Sequence, residues 1–432
     1  MISNDNNRLV KTLLHNPLSN YLRARPNSTV TRLLKTALRA NHRNGTEYQE
    51  LDIPLSSILC GGEHWLTAAQ YARHAGDLLR PSRPISELPH TKFLTQYLEI
   101  GDKVFCPEIF GETAYYKNAV QCISTVGHYF VCVREEQVKE IARRFVTQLS
   151  QNRRPNDLKS PYFSTAGDPI VARPILYSRC YEIVDGAHRA AIACVRGEAK
   201  IHARVIQPPA ITPLQQLVLD HAWTRGRREL SQPLDSPELS DWTLVRRCKD
   251  RFELMKSFME KHALLPFNGE SCLDIASNFG WFVSAFEHLG FQSYGVDMDW
   301  AACEIARLVF GLGPDKVTRS EVVRFLQRDS RKYDITSCLS LMHHFAMGLH
   351  CISAEEMLRL IAEKTRVVLF FEMGQAHEEW FGHTLAGWHS DYIEHWLGNN
   401  SSFTKIYRLG TDRDNVPPYE RNYGRTLFAC VR

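Results

Sequence analysis

The sequence predicts a two-domain α/β protein. Its C-terminal part reads as a doubly wound, largely parallel sheet with an antiparallel edge, and a smaller α+β domain precedes it. Three observations carry this expectation. From about residue 263, strand-length apolar runs alternate with amphipathic helix-length runs, the pattern of a parallel sheet with helices on both faces. The chain ends on two strands, FTKIYRLG and RTLFACVR, with no helix between them, which points to an antiparallel edge. Upstream, residues 89–207 mix helices and strands on their own, and the prolines of QPPAITP close that region off. The expected organisation is a helical extension over 1–88, an α+β domain over 89–207, a helical connector over 208–262 and the α/β domain over 263–432.

The bulk numbers narrow the class. A chain of 432 residues is long for one core. Apolar content of 44% and charged content of 23% are those of an ordinary globular protein. A net charge of +4 gives no case for a nucleic-acid or membrane-surface partner. No apolar run approaches the ~20 residues of a bilayer span. The N-terminal MISNDNNRLVKTLLHN has no secretory apolar core, so a cytoplasmic location is expected. Twelve cysteines lie scattered without a CxxC pair or zinc spacing, so no metal is expected and buried free thiols are.

In chain order, LVKTLLHNPL and VTRLLKTALRANH carry helical spacing, and PSRPISELP breaks it. The next unit holds FLTQYLEIGDKVFCPEIF, the aromatic-rich TAYYKNAVQCI and the amphipathic helix EEQVKEIARRFVTQL. Strands RPILYSR and CYEIVDG, helix AHRAAIACVRG and strand KIHARVI follow. In the C-terminal domain, strand CLDIA (272–276) precedes helix GWFVSAFEHLG, and strand QSYGVD (292–297) precedes helix WAACEIARLVFG. A weak strand at KVTR precedes SEVVRFLQR, read as a short helix or as part of that strand. Strand YDITSCLS (333–340) leads to helix SAEEMLRLIAEK, and strand RVVLFFEM (366–373) leads to helix HTLAGWHSDYIEHWLG. The final pair brings the sheet to seven strands.

In such sheets ligands lie beyond the carboxyl ends of the strands, near the first strand-to-helix turn. Here that turn sits in LDIASNFGWF (273–282) and consists of Ala276, Ser277, Asn278, Phe279 and Gly280. Asn278 tolerates a left-handed backbone and Gly280 permits tight entry into the helix. Asp274 inside an apolar strand calls for a polar partner near the turn. A second acid, Asp297, ends the next strand 23 residues on, a spacing that also suits a dinucleotide.

These residues resemble the first motif of class I S-adenosylmethionine-dependent methyltransferases, an acid followed by alternating glycines, with Asp274, Ala276, Asn278 and Gly280 in that frame. Two of the three glycines are replaced. KYDITSCLSLMHHF (332–345) is similar to the family's fourth motif, and the element order from 263 to 432 matches, final strand pair included. The resemblance implies a Rossmann-like seven-stranded methyltransferase sheet with S-adenosyl-L-methionine as cofactor. It implies cofactor contacts from Asp274, Ala276, Ser277, Asn278, Gly280, Asp297, Met298 and Leu339, with Asp297 on the ribose hydroxyls and Asp299 as the alternative. His343 and His344 leave the fourth strand, and either one reads as a catalytic base, or else as a residue that shapes the pocket or hydrogen-bonds loop backbone. Glu372 ends its strand at the same edge and reads as a catalytic residue in contact with substrate, or otherwise as a loop or helix-cap partner. His377, Glu378, Glu379 and Trp380 are candidates for the floor of the acceptor pocket. Trp281 and Phe282 read as packing residues of the first helix.

A second constellation is YEIVDGAHRAAIA (181–193). His188 and Arg189 in a first helical turn oppose the helix dipole unless an anion meets them; otherwise the turn is simply solvated, with Asp185 as its cap. The stretch resembles the ParB/sulfiredoxin fold, which implies a phosphate or nucleotide site at Asp185, Gly186, His188 and Arg189. Ala187 stands where sulfiredoxins place a reactive cysteine, and the arginine-rich box of partitioning proteins is missing. Glu108 and Glu112 are the carboxylates available for a phosphotransfer role. The leading expectation is methyl transfer to a small-molecule or glycan acceptor, with the N-terminal domain binding acceptor or a phosphate group. The alternatives are a bifunctional phosphotransferase-methyltransferase and a non-catalytic cofactor-binding scaffold. VPPYE (416–420) reads as a turn.

Overall fold

The computed structural model describes residues 48–60, 83–126, 129, 132–149, 170–262 and 270–432. The chain divides into two compact units, one running to Thr212 and including Ser236–Ser240, the other Pro213–Asp235 and Asp241–Arg432.

The first unit is built on a six-stranded mixed sheet. Its strands are β1 (Tyr48–Pro54), β2 (Ile58–Cys60), β3 (Arg83–Pro84), β4 (Ile170–Pro174), β5 (Tyr181–Asp185) and β6 (Lys200–Ile206), ordered β1-β6-β4-β5-β2-β3. Its longer helices are α1 (Pro89–Ile100), α2 (Ala114–Val126), α3 (Glu136–Leu149) and α4 (Ala187–Val195). Alanines 187, 190 and 193 of α4 pack against Ile170, Ile183 and Val205 of the sheet. This corrects the helical reading of residues 1–88 where it can be compared. Residues 48–54 and 58–60 are strands, and β1 pairs with β6 along its whole length. Only Ile53 of YQELDIP is buried, and Gln49-Glu50 breaks any alternation, so no apolar face marks β1 in the sequence. LVKTLLHNPL and VTRLLKTALRANH lie outside the described residues. RPILYSR is also corrected, since the strand there is Ile170–Pro174 and only its last two residues overlap.

The second unit opens with α5 (Pro213–Asp220), the short pair β7 (Glu229–Leu230) and β8 (Thr243–Leu244), and α6 (Lys249–Lys261). The expected helical connector is therefore α-helical only near its two ends, with a single 3-10 turn at Pro237–Leu239 between them. The large sheet follows: β9 (Ser271–Ile275), β10 (Gln292–Asp297), β11 (Val317–Arg319), β12 (Tyr333–Leu339), β13 (Thr365–Glu372), β14 (Lys405–Thr411) and β15 (Thr426–Val431). Their order is β11-β10-β9-β12-β13-β15-β14. β15 runs antiparallel to both neighbours, and the other pairings are parallel. The helices between strands are α7 (Trp281–His288), α8 (Trp300–Phe310), α9 (Val322–Arg328), α10 (Met342–Ala346), α11 (Ala354–Lys364) and α12 (Ser390–Asn400). SEVVRFLQR thus resolves as a helix capped by Glu321. Of HTLAGWHSDYIEHWLG only the part from Ser390 is helical, and residues before it form turns.

Both faces of this sheet are covered, which explains its apolar strands. Leu369 and Phe371 face a core shared with α11 and α12, while Val368 and Phe370 face one shared with α6 and α7. All twelve cysteines are free thiols, eight of them buried. No helix among the described residues is long and apolar enough to cross a membrane.

Candidate active site

Chain order reverses between β9 and β12, so the ligand crevice of this sheet lies beyond their carboxyl ends. Backbone conformation singles out that place. Ala276, Asn278 and Gly280 after β9 have φ of 60°, 53° and 80°, and Ser340 after β12 has φ 58°. An ordinary L-residue pays about 1–2 kcal/mol for that conformation. The alternate positions of the motif are thus the ones that turn left-handed, two of them without glycine. Gly295 of β10 passes so close that a Cβ there would lie 2.7 Å from Ser277 Oγ.

Two links hold the turn. The Asn278 amide donates to Asp297 Oδ2 at 2.8 Å, and Ser231 Oγ donates to Asn278 Oδ1 at 2.8 Å. Asp297 Oδ1 accepts the Asp299 amide at 2.9 Å. Desolvation raises the Asp297 pKa, with the amide bonds opposing it. Its remaining lone pairs stay available at the strand end. Met298, 67% exposed, stands beside it. Asp299 spends its carboxylate on the amides of Ala302 and Ala222.

Besides Gly280, three of the expected cofactor residues are buried. Asp274 is 2% exposed and accepts Ser337 Oγ at 2.6 Å, the polar partner its place in a strand demanded. Burial pushes its pKa up to about 7, the Ser337 bond working against this and nearby Asp297 adding to it. Ser277 is buried and its amide donates to Val296 O. Leu339 packs in the core beside Phe282 and Phe286. These residues support the turn from beneath. Phe282 is core, as expected, and Trp281 packs edge-on against Phe252.

Glu372 is corrected. It is fully buried at the end of β13, with Arg246 Nη2 at 2.6 Å, Arg251 Nη1 at 2.9 Å and Arg425 Nη1 at 3.1 Å. Burial alone would raise its pKa, but Arg246, Arg425 and Arg251 hold it far below the carboxylate range. Its carboxylate is thus engaged by three guanidiniums inside the protein. Glu378 is buried too, its two oxygens on Arg425 Nε and Nη2 at 2.8 Å each. Asp412 and Asp414 complete this cluster through Arg246 at 3.2 and 2.9 Å. The network ties the segments after β13 and before β15 to the start of α6. The sequence reading missed it, because its members are spread over 246–425 without a period.

His343 is buried, and burial, then Arg425, keeps its imidazole neutral. Its Nδ1 accepts the Gly374 amide at 3.3 Å, so Nε2 carries the proton and serves as a donor. His344 is half-buried, and desolvation holds it neutral as well. His377 Nε2 donates to Tyr423 O at 2.6 Å, and Glu379 pairs with Arg421 at the surface. Trp380 is 47% exposed and stands edge-on to Tyr419 and Tyr423 at 5.3 and 5.0 Å.

In the first unit, Gly186 with φ 101° is the N-cap of α4, without a side-chain cap. Asp185 lies 3.7 Å from Arg189 Nη2 instead of capping. His188 is corrected. It is buried, with Nε2 2.9 Å from Tyr115 Oη and its ring 4.3 Å from that of His90, and burial keeps it neutral. It therefore adds no cation to the helix start. Arg189 is buried as well. Glu108 and Glu112 are exposed, Glu112 on Lys117 at 2.6 Å.

No family model and no curated protein matches this chain. Solved structures do. The bifunctional kinase-methyltransferase WbdD is 16% identical with a TM-score of 0.39, over 50% of this chain and 46% of that one. Magnesium protoporphyrin IX methyltransferase (ChlM) from Synechocystis PCC 6803, solved with bound SAM, is 17% identical with a TM-score of 0.30, over 42% of this chain and 80% of that one. A SAM-dependent methyltransferase from Archaeoglobus fulgidus is 15% identical with a TM-score of 0.30, over 42% and 94%. The chain spans less than half the length of WbdD. At these values the likeness assigns no activity to this chain.

Proposed function

We propose that the second unit binds S-adenosyl-L-methionine at the turn between β9 and α7 and transfers its methyl group to a small-molecule or glycan acceptor. The observation that carries this reading is the left-handed turn Ala276–Gly280 tied to Asp297 at the neighbouring strand end. The reversed β15 inserted between β13 and β14 supports it, in line with the element order noted in the sequence. Asp297 would hold the ribose hydroxyls, Met298 would cover the base, and the backbone of 276–280 would line the rest. These groups suit a sulfonium cofactor, since the strand ends offer carboxylates and carbonyls and need no phosphate cradle.

When bound, the cofactor supplies an electrophilic methyl group. The protein's part is alignment, which accounts for much of the rate in such displacements. The arginine–carboxylate network fixes the segments that carry Trp380 and Tyr419, and a half-exposed indole suits stacking on an acceptor such as a sugar face. His344 is the base for a hydroxyl acceptor, because His343 already presents a proton. In this reading the N-terminal α+β unit binds acceptor or a phosphate group.

Incubation with methyl-labelled S-adenosylmethionine and a panel of glycan and small-molecule acceptors tests the assignment. Label should move to an acceptor, with kcat falling at least tenfold in His344→Ala. Binding of S-adenosylhomocysteine without transfer to any acceptor would favour a scaffold instead.

A further inference from the structure

A cavity of about 530 Å³ opens along the free edge of the large sheet. Thr318, Arg319 and Ser320 line it from β11 and its end, and Glu321, Arg324, Phe325, Arg328 and Asp329 line it from α9 and its flanks. The volume is that of a small-molecule site. None of the crevice residues Ala276–Gly280, Asp297 or Met298 borders it.

Its lining carries three guanidiniums against two carboxylates, a net positive charge. Arg319, Arg324 and Arg328 are exposed, and none forms an ion pair among the described residues. The two acids are already engaged. Glu321 accepts the amides of Val323 and Arg324 at 3.0 and 2.9 Å as the cap of α9. Asp329 accepts Tyr333 Oη at 2.6 Å and Arg331 Nε at 2.9 Å. Arg331, the next guanidinium along, is thereby parked on Asp329 and over the ring of Tyr294. Arg324 and Arg328 stand four residues apart on one helix face, where like charges repel. Arg319 adds a third guanidinium from the edge strand. Three guanidiniums without an ion-pair partner around one hollow leave their donors free for an anion, and their planar forks match phosphate oxygens.

We propose that this edge cavity is a binding site for a small polyphosphorylated molecule, with two adjacent phosphates held by Arg319, Arg324 and Arg328. The proposal is independent of the methyl-transfer assignment.

Calorimetry on the full chain tests it with inorganic pyrophosphate as probe. The native protein should bind pyrophosphate below 1 mM, and Arg324→Ala/Arg328→Ala should weaken that binding at least tenfold. Both arginines are exposed, so circular dichroism of the double variant should match the native protein. S-adenosylhomocysteine binding by that variant should equal that of the native protein, which separates failure here from failure of the cofactor site. No pyrophosphate binding at 1 mM, or binding unchanged in the double variant, overturns the proposal. So does tighter arginine-dependent binding of single-stranded RNA than of pyrophosphate, which would make the edge a polyanion surface.

Discussion

The backbone amide of Asn278 donates to Asp297 Oδ2 at 2.8 Å, so the first strand-to-helix turn and the acid of the neighbouring strand are one unit. That bond holds a left-handed residue in place at the point where chain order in the sheet reverses. A ligand at this crevice meets a prearranged backbone, and the cost of arranging it is borne by the fold.

That cost is measurable. Ala276 holds φ 60° with an ordinary side chain. Ala276→Gly removes the left-handed penalty of about 1–2 kcal/mol and restores some unfolded-chain entropy, so a net stabilisation of up to about 1 kcal/mol is expected. Urea unfolding midpoints of the two proteins measure it. A destabilised glycine variant would mean that the alanine methyl packs usefully.

Asp274 should make stability depend on pH. Its folded pKa, near 7, lies above the ordinary aspartate value, so the folded state binds a proton that the unfolded chain releases. Stability contributed by that proton is present at low pH and is lost as pH rises from about 4 towards 7, at up to about 1.4 kcal/mol per pH unit. Asp274→Asn keeps a partner for Ser337 and carries no titrating group. The difference in unfolding free energy between native and variant should therefore change between pH 5 and 8 in favour of the variant at the higher pH. A constant difference would place the Asp274 pKa outside that window.

Glu372 is a structural anion. Glu372→Gln leaves Arg246, Arg251 and Arg425 facing fewer charges in a buried cluster, and breaking such a cluster costs about 3–5 kcal/mol. Chemical denaturation should show a loss of that size. A variant of native stability with methyl transfer abolished would instead restore Glu372 to the catalytic role that its strand-end position first suggested.

The large sheet was legible because its strands are apolar on both faces and its helices are amphipathic, so period and length separate them. QSYGVD spans β10 residue for residue, and in the smaller sheet of the first unit KIHARVI spans β6. β1 was not legible, because YQELDIP lies on an exposed edge and buries little but Ile53. The turn at Ala276–Gly280 was readable from an acid, small residues and one glycine. The side of the crevice held by Arg246, Asp412, Asp414 and Arg425 was not, since ion pairs between residues up to 168 positions apart, as Arg246 and Asp414 are, leave no local trace. His188 shows the converse. Its place in a first helical turn was right, but the burial that neutralises it depends on Tyr115 and His90, which are distant in sequence.

Calorimetric titration of the native chain and of Asp297→Ala with S-adenosylhomocysteine tests the cofactor assignment most directly. Micromolar binding by the native protein, weakened at least a hundredfold in the variant, is the expected result. Failure of the folded native protein to bind, or equal binding by both proteins, would contradict it.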